Sequence, residues 1–196
     1  MENHSSYAVA IIKPDAHRDV LAGMIVEDFE EEGFSVVLRK DIALSQTQAG
    51  KIYFNDHNQP NFVDATRSLM GTERDKFSTL LILKNKESEG GLLKAREVKG
   101  KVDSGGIRKK YNLYTKDELI KKGLAGEDLR NELSRNRLHV PDTDEEMFEI
   151  INLLLTEKER LELKDREPGL CGELIIFNEG REAKNEFLER KNQRPK

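Results

Sequence analysis

The sequence lacks the residues and runs on which several classes of protein depend. Cys171 is the only cysteine among 196 residues, so neither an intrachain disulfide nor a cysteine-based zinc site can form. No apolar run approaches the roughly 20 residues that a membrane-spanning helix needs. Such sparing use of cysteine suits a reducing compartment. We therefore expect a cytoplasmic protein without a membrane partner.

Common signatures of nucleotide-binding and hydrolytic sites are missing as well. The chain has neither the G-x-x-x-x-G-K-[ST] loop of Walker-type NTPases nor the G-x-G-x-x-G loop of dinucleotide-binding folds. The zinc-protease motif H-E-x-x-H and the serine-hydrolase motif G-x-S-x-G do not occur either. Any site for phosphates must therefore be built in another way.

Charge, in contrast, is plentiful and unevenly spread. Charged side chains make up 36% of the chain, and 33 Lys and Arg against 37 Asp and Glu leave a net charge of −4, which disfavours general binding to nucleic acid. Residues 84–122 hold twelve basic and six acidic side chains, whereas residues 141–167 hold four basic and ten acidic ones. The basic stretch could face a polyanion such as the phosphates of a nucleotide, or it could be an ordinary solvated surface.

The first 83 residues alternate between strand and helix patterns. Apolar runs predict strands at residues 7–12, 34–38 and 77–83. Between them, Leu21, Ile25 and Phe29 recur every four residues and predict an amphipathic helix that ends at Gly33. Further helices are predicted from a capping box that begins at Ser45 and over residues 62–69. This order predicts an α+β sandwich, with a mixed or antiparallel sheet covered by helices.

Beyond residue 84 the patterns are weaker and more polar. Residues 92–99, 115–124 and 127–133 have helical composition, and a second capping box begins another helix at Thr143. Residues 174–177 are predicted to form a short strand, and residues 179–196 a charged terminal helix or tail.

His139 has the most suggestive setting of the four histidines. It follows a segment with Arg135 and Arg137 and lies four residues before a predicted helix start, where cations and free N–H groups would suit a phosphate. From this setting alone, the sequence favours a structural role for His139 over a catalytic one.

Two ordered motifs point to a family. Residues 11–16, Ile-Ile-Lys-Pro-Asp-Ala, directly follow the first strand and resemble the I-K-P-D signature of nucleoside diphosphate kinases. Residues 135–139, Arg-Asn-Arg-Leu-His, resemble the R-N-x-x-H active-site segment of that family. Tyr53, the turn at residues 59–62, residues 95–98 and residues 106–108 lie between the motifs in the family's order. The chain thus resembles a divergent member of this family.

The resemblance implies a ferredoxin-like fold and an exchange in two steps. A histidine nitrogen would take the γ-phosphoryl group of a nucleoside triphosphate and pass it to a nucleoside diphosphate. Carried over by position, His139 would be the nucleophile, and the nucleotide-binding residues would be Lys13, Tyr53, Phe62, Arg96, Arg108 and Asn136. Mg²⁺ would arrive on the nucleotide rather than in a protein metal site, and the protein would form a homo-oligomer.

The resemblance also defines the expected domain organisation. Residues 1–196 would form one kinase-like domain, with a helical insertion at residues 109–134 and a C-terminal extension at residues 168–196. Val140-Pro141-Asp142 stands where the family has Gly-Ser-Asp, and Asn61 takes the strict position of the base-stacking phenylalanine, next to Phe62. The loop at residues 100–105 is shorter and lacks the family's phosphate-binding threonine.

These departures leave alternative readings open. The chain could be a catalytically impaired relative that still binds nucleotides, or an oligomeric scaffold. In such a protein, Lys13 could be a strand-end lysine with a solvated head, Tyr53 an aromatic at the core edge, and Arg96 and Arg108 surface charges.

Overall fold

A four-stranded antiparallel sheet forms the centre of the fold. The computed structural model describes residues 5–53, 57–59, 62–71, 77–87, 89–101, 105–112 and 114–192. The strands are β1 (Tyr7–Ile12), β2 (Phe34–Ile42), β3 (Ser78–Asn85) and β4 (Leu138–His139). They lie side by side in the order β2-β3-β1-β4. This arrangement of sheet and helices confirms the predicted α+β class.

The helices occupy most of the remaining described chain. Those of the N-terminal half are α1 (Pro14–Arg18), α2 (Ala22–Glu31), α3 (Gln46–Ile52), α4 (Phe62–Met70) and α5 (Gly91–Lys99). The later ones are α6 (Gly106–Tyr111), α7 (Lys116–Lys121), α8 (Gly126–Ser134), α9 (Asp144–Leu154), α10 (Glu157–Arg166) and α11 (Pro168–Asn192). None of them, within the part of the chain that is described, combines the length and apolarity needed to cross a membrane.

Side-chain alternation on β1 separates the core from the face that carries the candidate site. Ala8, Ala10 and Ile12 belong to the main core cluster, together with side chains of α2, α5 and α6. Ile12 lies opposite Leu138 on β4, and Leu138 joins the same cluster. Ile11 lies opposite His139. Because directly opposed residues share one face of an antiparallel pair, His139 is presented on the other face of the sheet.

Local signals explain the elements that the sequence predicts well. Ser45 and Gln48 form both bonds of a capping box at the start of α3, with Gln48 N donating to Ser45 Oγ at 3.2 Å. Gly33 follows α2 with a φ of 88°, a left-handed conformation that glycine adopts without a steric penalty. The predicted helix over residues 62–69 and the strand over residues 77–83 are observed as α4 and β3, each shifted by a residue or two.

The predicted strand at residues 174–177 is wrong, because these residues lie inside α11. Ile175 and Ile176 are half exposed or more, so their apolar character does not reflect a buried strand. Phe177 instead stacks on Phe148 at 5.2 Å between ring centroids. At the capping box predicted at Thr143, Thr143 Oγ1 accepts from Glu146 N, and the carboxylate of Glu146 also accepts from Asp142 N.

The chain divides into two compact units, Met1–Met147 and Phe148–Lys196. The first holds the sheet, helices α1 to α8 and every predicted site residue. Residues 109–134 contain the end of α6 and the whole of α7 and α8, which agrees with their predicted helical character. The second unit is helical in its described residues, and its long helix α11 occupies most of the predicted C-terminal extension. Asn61 and residues 102–104 lie outside the described residues.

Candidate active site

Lys13 stands at the junction between β1 and α1, where a polar side chain becomes buried. Pro14 begins α1 and keeps the preceding residue extended, so Lys13 has φ −81° and ψ 161° and directs its side chain across the sheet end. Its Nζ donates to Ser68 Oγ at 2.9 Å and to the carbonyl oxygen of Ser134 at 3.0 Å. Only 1% of Lys13 is exposed. Burial, with a smaller effect of the nearby Arg108 cation, lowers the pKa of Lys13 to about 7.

His139 ends β4 and is buried beside an aromatic ring. The ring of Tyr53 meets it edge-on, with 4.8 Å between centroids and an interplanar angle of 71°. His139 Nε2 is buried and has no hydrogen-bond partner among the described residues. Burial holds the pKa of His139 well below its usual value, and the cations of Lys13, Lys99 and Arg108 lower it further. The imidazole is therefore neutral at pH 7.

The segment that leads to His139 is fixed by a buried arginine. Arg137 has a φ of 66°, a conformation that costs a non-glycine residue on the order of 1 kcal/mol. Its Nη1 donates to the carbonyl oxygen of Asp15 at 2.9 Å and pairs with the carboxylate of Asp19 at 2.5 Å. Nε of the same side chain donates to the carbonyl oxygen of Tyr111 at 3.2 Å. These contacts hold the backbone that presents His139.

The two predicted arginines have different environments. Arg108 donates from Nε and Nη2 to the carbonyl oxygen of Leu138, at 3.3 and 2.9 Å, directly before His139. Arg96 pairs instead with the carboxylate of Asp142 at 3.1 Å and also donates to the Asp142 carbonyl oxygen. Arg108 lines the cavity described next, whereas Arg96 does not.

A cavity of about 300 Å³ brings five of the seven predicted site residues together. Its lining includes Lys13, Tyr53, Arg108, Asn136 and His139. Asn136 Oδ1, like His139 Nε2, is buried and has no hydrogen-bond partner among the described residues. A cavity with cations at its wall and unsatisfied polar atoms is suited to a charged ligand with hydrogen-bonding groups.

Phe62 does not line this cavity. It is half-buried at the start of α4, and its N–H donates to the carbonyl oxygen of Gln59 at 3.0 Å. The structure thus separates Phe62 and Arg96 from the other five predicted residues. The roles of all seven stay predictions.

Sequence reasoning missed two cations of the cavity wall, Lys99 on α5 and Arg130 on α8. Arg130 Nε contacts the carboxylate of Asp64 at 3.3 Å. Lys99 Nζ donates to the carbonyl oxygen of Val140 at 3.1 Å. Both lie in polar helical stretches that read as solvated surface, and no sequence signal distinguishes them from their basic neighbours. The excess of basic residues between positions 84 and 122 includes Lys99 but not Arg130.

A second cavity of similar volume shows why volume alone does not identify the site. It is also about 300 Å³ and is lined by Arg18, Arg67 and Arg135. Each of these arginines pairs with a neighbouring carboxylate. The positive charge of this second cavity is thus largely compensated by carboxylates of the protein. The cavity at His139 is lined by several cations but by only one described carboxylate, that of Asp142.

The cavity at His139 offers little to a metal ion by itself. Within the described ranges, no three His, Cys, Asp or Glu side chains come together in a way that could hold one. The lining carboxylate, Asp142, is already paired with Arg96. Mg²⁺ takes oxygen ligands and keeps several waters, so these residues fit an ion that arrives bound to the phosphates of a ligand.

Comparisons with known proteins agree with this fold and site. A family model described as nucleoside diphosphate kinase matches residues 6–160. The nucleoside diphosphate kinase of Paracoccus denitrificans is 36% identical over 110 residues, covering 54% of this chain and 74% of the relative. That of Cereibacter sphaeroides strain ATCC 17029 is 34% identical over 131 residues, covering 64% of this chain and 89% of the relative.

Solved structures of the same kind share the fold at lower identity. A nucleoside diphosphate kinase from Borrelia burgdorferi, a transition-state mimic with bound vanadate and ADP, has a TM-score of 0.59 at 19% identity, over 78% of this chain and 88% of the other. The Aquifex aeolicus enzyme has a TM-score of 0.56 at 20% identity, over 79% and 97% of the two chains. The sheet and helices therefore have the ferredoxin-like arrangement that the sequence predicts. The chain belongs to the nucleoside diphosphate kinase family, which confirms the predicted family and the predicted class of enzyme, a phosphotransferase.

Proposed function

We propose that this protein transfers the γ-phosphoryl group of a nucleoside triphosphate to a nucleoside diphosphate through a phosphohistidine at position 139. The observation that carries the proposal is the neutral, buried imidazole of His139 in a cavity walled by Lys13 and Arg108. A neutral imidazole keeps a lone pair for attack on phosphorus. Family membership supports the same chemistry.

The cations of the cavity would do most of the catalytic work. Phosphoryl transfer passes through a loose transition state, so the protein mainly positions the reactants and stabilises charge on the phosphoryl oxygens. Arg108 lies beside His139 because it is bound to the carbonyl oxygen of Leu138, the preceding residue. The guanidinium of Arg108 stays charged. Because the pKa of Lys13 is lowered to about 7, Lys13 would take up a proton when an anion binds. Together they would hold the phosphate chain in line with the imidazole.

The remaining predicted residues would recognise the rest of the nucleotide. Asn136, with its unpartnered Oδ1, would accept a hydrogen bond from a ribose hydroxyl. Tyr53 would position the imidazole through its edge contact. Mg²⁺ would enter as part of the substrate, bridging phosphates and held otherwise by water. Phe62 and Arg96, which do not line the cavity, would reach the nucleotide only after a local rearrangement.

A second candidate function, nucleotide binding without turnover, is favoured by one observation. His139 Nε2 is buried and has no hydrogen-bond partner among the described residues, so no hydrogen bond at this nitrogen fixes the tautomer of the ring. A catalytic histidine is usually oriented by a hydrogen bond to its other nitrogen, and loss of such a bond reduces activity. In this case the cavity would hold nucleotides, but phosphoryl transfer would be slow or absent.

An exchange assay separates the two functions. MgATP labelled at the γ-phosphate is mixed with GDP, and labelled GTP is measured for the wild type, His139→Ala and the control His57→Ala. His57 is exposed, so its replacement leaves the cavity intact. We expect exchange with parallel double-reciprocal lines in the wild type and in His57→Ala, and none in His139→Ala. Nucleotide-dependent thermal stabilisation without exchange would instead support the binding function.

The predicted homo-oligomer and cytoplasmic location belong to the same proposal. The outer edge of β2 has no partner strand in the described sheet, so a second copy of the chain could lie against it. Light scattering after size-exclusion chromatography tests self-association.

A further inference from the structure

Lys99 is a partly buried cation in the last turn of α5. Gly100 follows with a φ of 63° and ends the helix, and a Cβ at this glycine would overlap the carbonyl group of Gly105. A cation at a helix C-terminus is stabilised by the helix dipole, by typically 0.3–1 kcal/mol. The side chain of Lys99 is 13% exposed, however, so most of its ammonium hydration is lost.

The carboxylates of Asp142 and Glu146 offset the desolvation of the Lys99 ammonium only in part, because the pKa of Lys99 stays below its usual value. Its Nζ lies 4.0 Å from the carboxylate of Asp142, beyond hydrogen-bond distance, and that carboxylate is already paired with Arg96 at 3.1 Å. Burial and the nearby cation of Arg108 lower the pKa of Lys99 to about 8. Lys13 is buried in the same cavity wall. Like charges so placed repel one another, and an anion bound between them would offset the repulsion.

The ammonium of Lys99 also has N–H groups that are not used in hydrogen bonds to the described residues. It carries three N–H groups, and the bond to the carbonyl oxygen of Val140 uses one of them. No further hydrogen-bond partner of Lys99 is found in the described part of the chain. Because Val140 directly follows His139, this bond holds the ammonium next to the histidine. The remaining donors are available to a ligand in the cavity.

We propose that Lys99 is a further phosphate-binding residue of this site and contacts the polyphosphate chain of the nucleotide together with Lys13 and Arg108. The inference deepens the proposed function and rests on it for the identity of the ligand. The shared chemistry is a linear polyphosphate, so inorganic tripolyphosphate serves as the probe. A purely structural alternative is that Lys99 only ties α5 to Val140.

Binding of tripolyphosphate by calorimetry at pH 7 tests the proposal in four proteins. Lys99→Gln removes the charge and keeps a polar side chain, and Lys99→Arg keeps the charge. Lys109→Gln removes the same charge from an exposed position of α6 outside the cavity lining. We expect Lys99→Gln to bind tripolyphosphate on the order of ten-fold more weakly than the wild type, because a charge-assisted hydrogen bond is lost. Lys99→Arg should keep most of the affinity and Lys109→Gln nearly all of it.

Thermal unfolding of the ligand-free proteins separates the two roles of Lys99. If Lys99 binds phosphate, Lys99→Gln should unfold at the wild-type temperature or above it, because a partly desolvated cation beside the cation of Arg108 is removed. A lower unfolding temperature with unchanged affinity for tripolyphosphate would show the structural role. Absence of tripolyphosphate binding by the wild type would also overturn the proposal.

The proposed function can fail independently. Weakened tripolyphosphate binding in Lys99→Gln, combined with no nucleotide exchange by the wild type, would support Lys99 as a phosphate ligand and contradict the kinase activity. Nucleotide exchange by the wild type, combined with unchanged tripolyphosphate affinity in Lys99→Gln, would support the kinase activity and contradict Lys99 as a phosphate ligand.

Discussion

The backbone N–H of Lys13 donates to the carbonyl oxygen of Arg137 at 2.8 Å. This bond continues the pairing of β1 with β4 by one step beyond Ile12 and Leu138. It therefore joins the lysine of one predicted motif to the histidine segment of the other, although the two lie more than a hundred residues apart in the sequence. The candidate site exists because a two-residue strand adds to the edge of the sheet.

Arg137 should be important for stability rather than for contact with the ligand. Its guanidinium is 5% exposed and compensates Asp15, whose side chain is 7% exposed. Removing one partner leaves an uncompensated buried charge, so Arg137→Ala should lower the free energy of unfolding by about 3 kcal/mol or more. Urea denaturation measures this change.

Arg135→Ala provides the matched control for Arg137. Its guanidinium is half exposed and pairs with the exposed carboxylate of Glu132 at 2.6 Å. The change in unfolding free energy should be within about 0.5 kcal/mol. Equal effects of the two substitutions would contradict the role assigned to Arg137.

Asn136 should contribute to binding of the nucleoside part alone. We expect Asn136→Ala to bind ADP roughly five- to ten-fold more weakly, since one hydrogen bond contributes about 1 kcal/mol. The affinity for inorganic tripolyphosphate, which has no ribose, should not change. Calorimetric titration with both ligands measures the difference, and equal weakening for both would mean that Asn136 does not contact the ribose.

Ligand binding should be coupled to proton uptake above neutral pH. Burial lowers the pKa of Lys13 to about 7 and that of Lys99 to about 8. A bound polyphosphate favours the charged ammonium and raises both values, so binding at pH 8 should take up roughly one proton. Calorimetry in buffers of different ionisation enthalpy measures this uptake. Affinity should also fall as the pH rises from 7 to 9, and a binding enthalpy independent of the buffer at pH 8 would contradict the prediction.

The lowered pKa of His139 should appear in the pH dependence of folding. The unfolded chain has a histidine pKa near 6.5, whereas burial lowers the folded value well below this. Between the two values the unfolded state binds more protons, so stability is fully present above about pH 6.5 and falls with decreasing pH, by at most about 1.4 kcal/mol per pH unit. We therefore expect the free energy of unfolding, measured by urea denaturation from pH 5 to 7, to change less with pH in His139→Gln than in the wild type. Identical slopes would mean that His139 titrates normally.

Much of the fold could be predicted because its signals are local. The run at residues 7–12, the capping box at Ser45 and the Gly33 turn each determine an element without distant contacts. The two-residue strand β4 has no periodicity and depends entirely on pairing with β1. The segment at residues 174–177 was misread because an apolar run of that length is equally compatible with one face of a helix.

The candidate site could be predicted only in part for a related reason. Lys13 and His139 belong to recognisable motifs, and the structure brings them together. Lys99 lies in a highly charged helix and resembles a solvated lysine in sequence, yet its Nζ donates to the carbonyl oxygen of Val140 and its side chain is only 13% exposed. Such burial follows from tertiary packing, which the pattern of residues 92–99 does not contain. Arg96 shows the converse: it belongs to a predicted motif, but it pairs with Asp142 and does not line the cavity.

The most direct measurement is intact-protein mass spectrometry after incubation with MgATP. The account predicts that one phosphoryl group is added, that it is lost in acid but stable in base, that GDP removes it, and that fragmentation assigns it to His139. His139→Ala should remain unmodified. A wild-type protein that binds MgATP but takes up no phosphoryl group, or a phosphoryl group that persists in His139→Ala, would contradict the central claim.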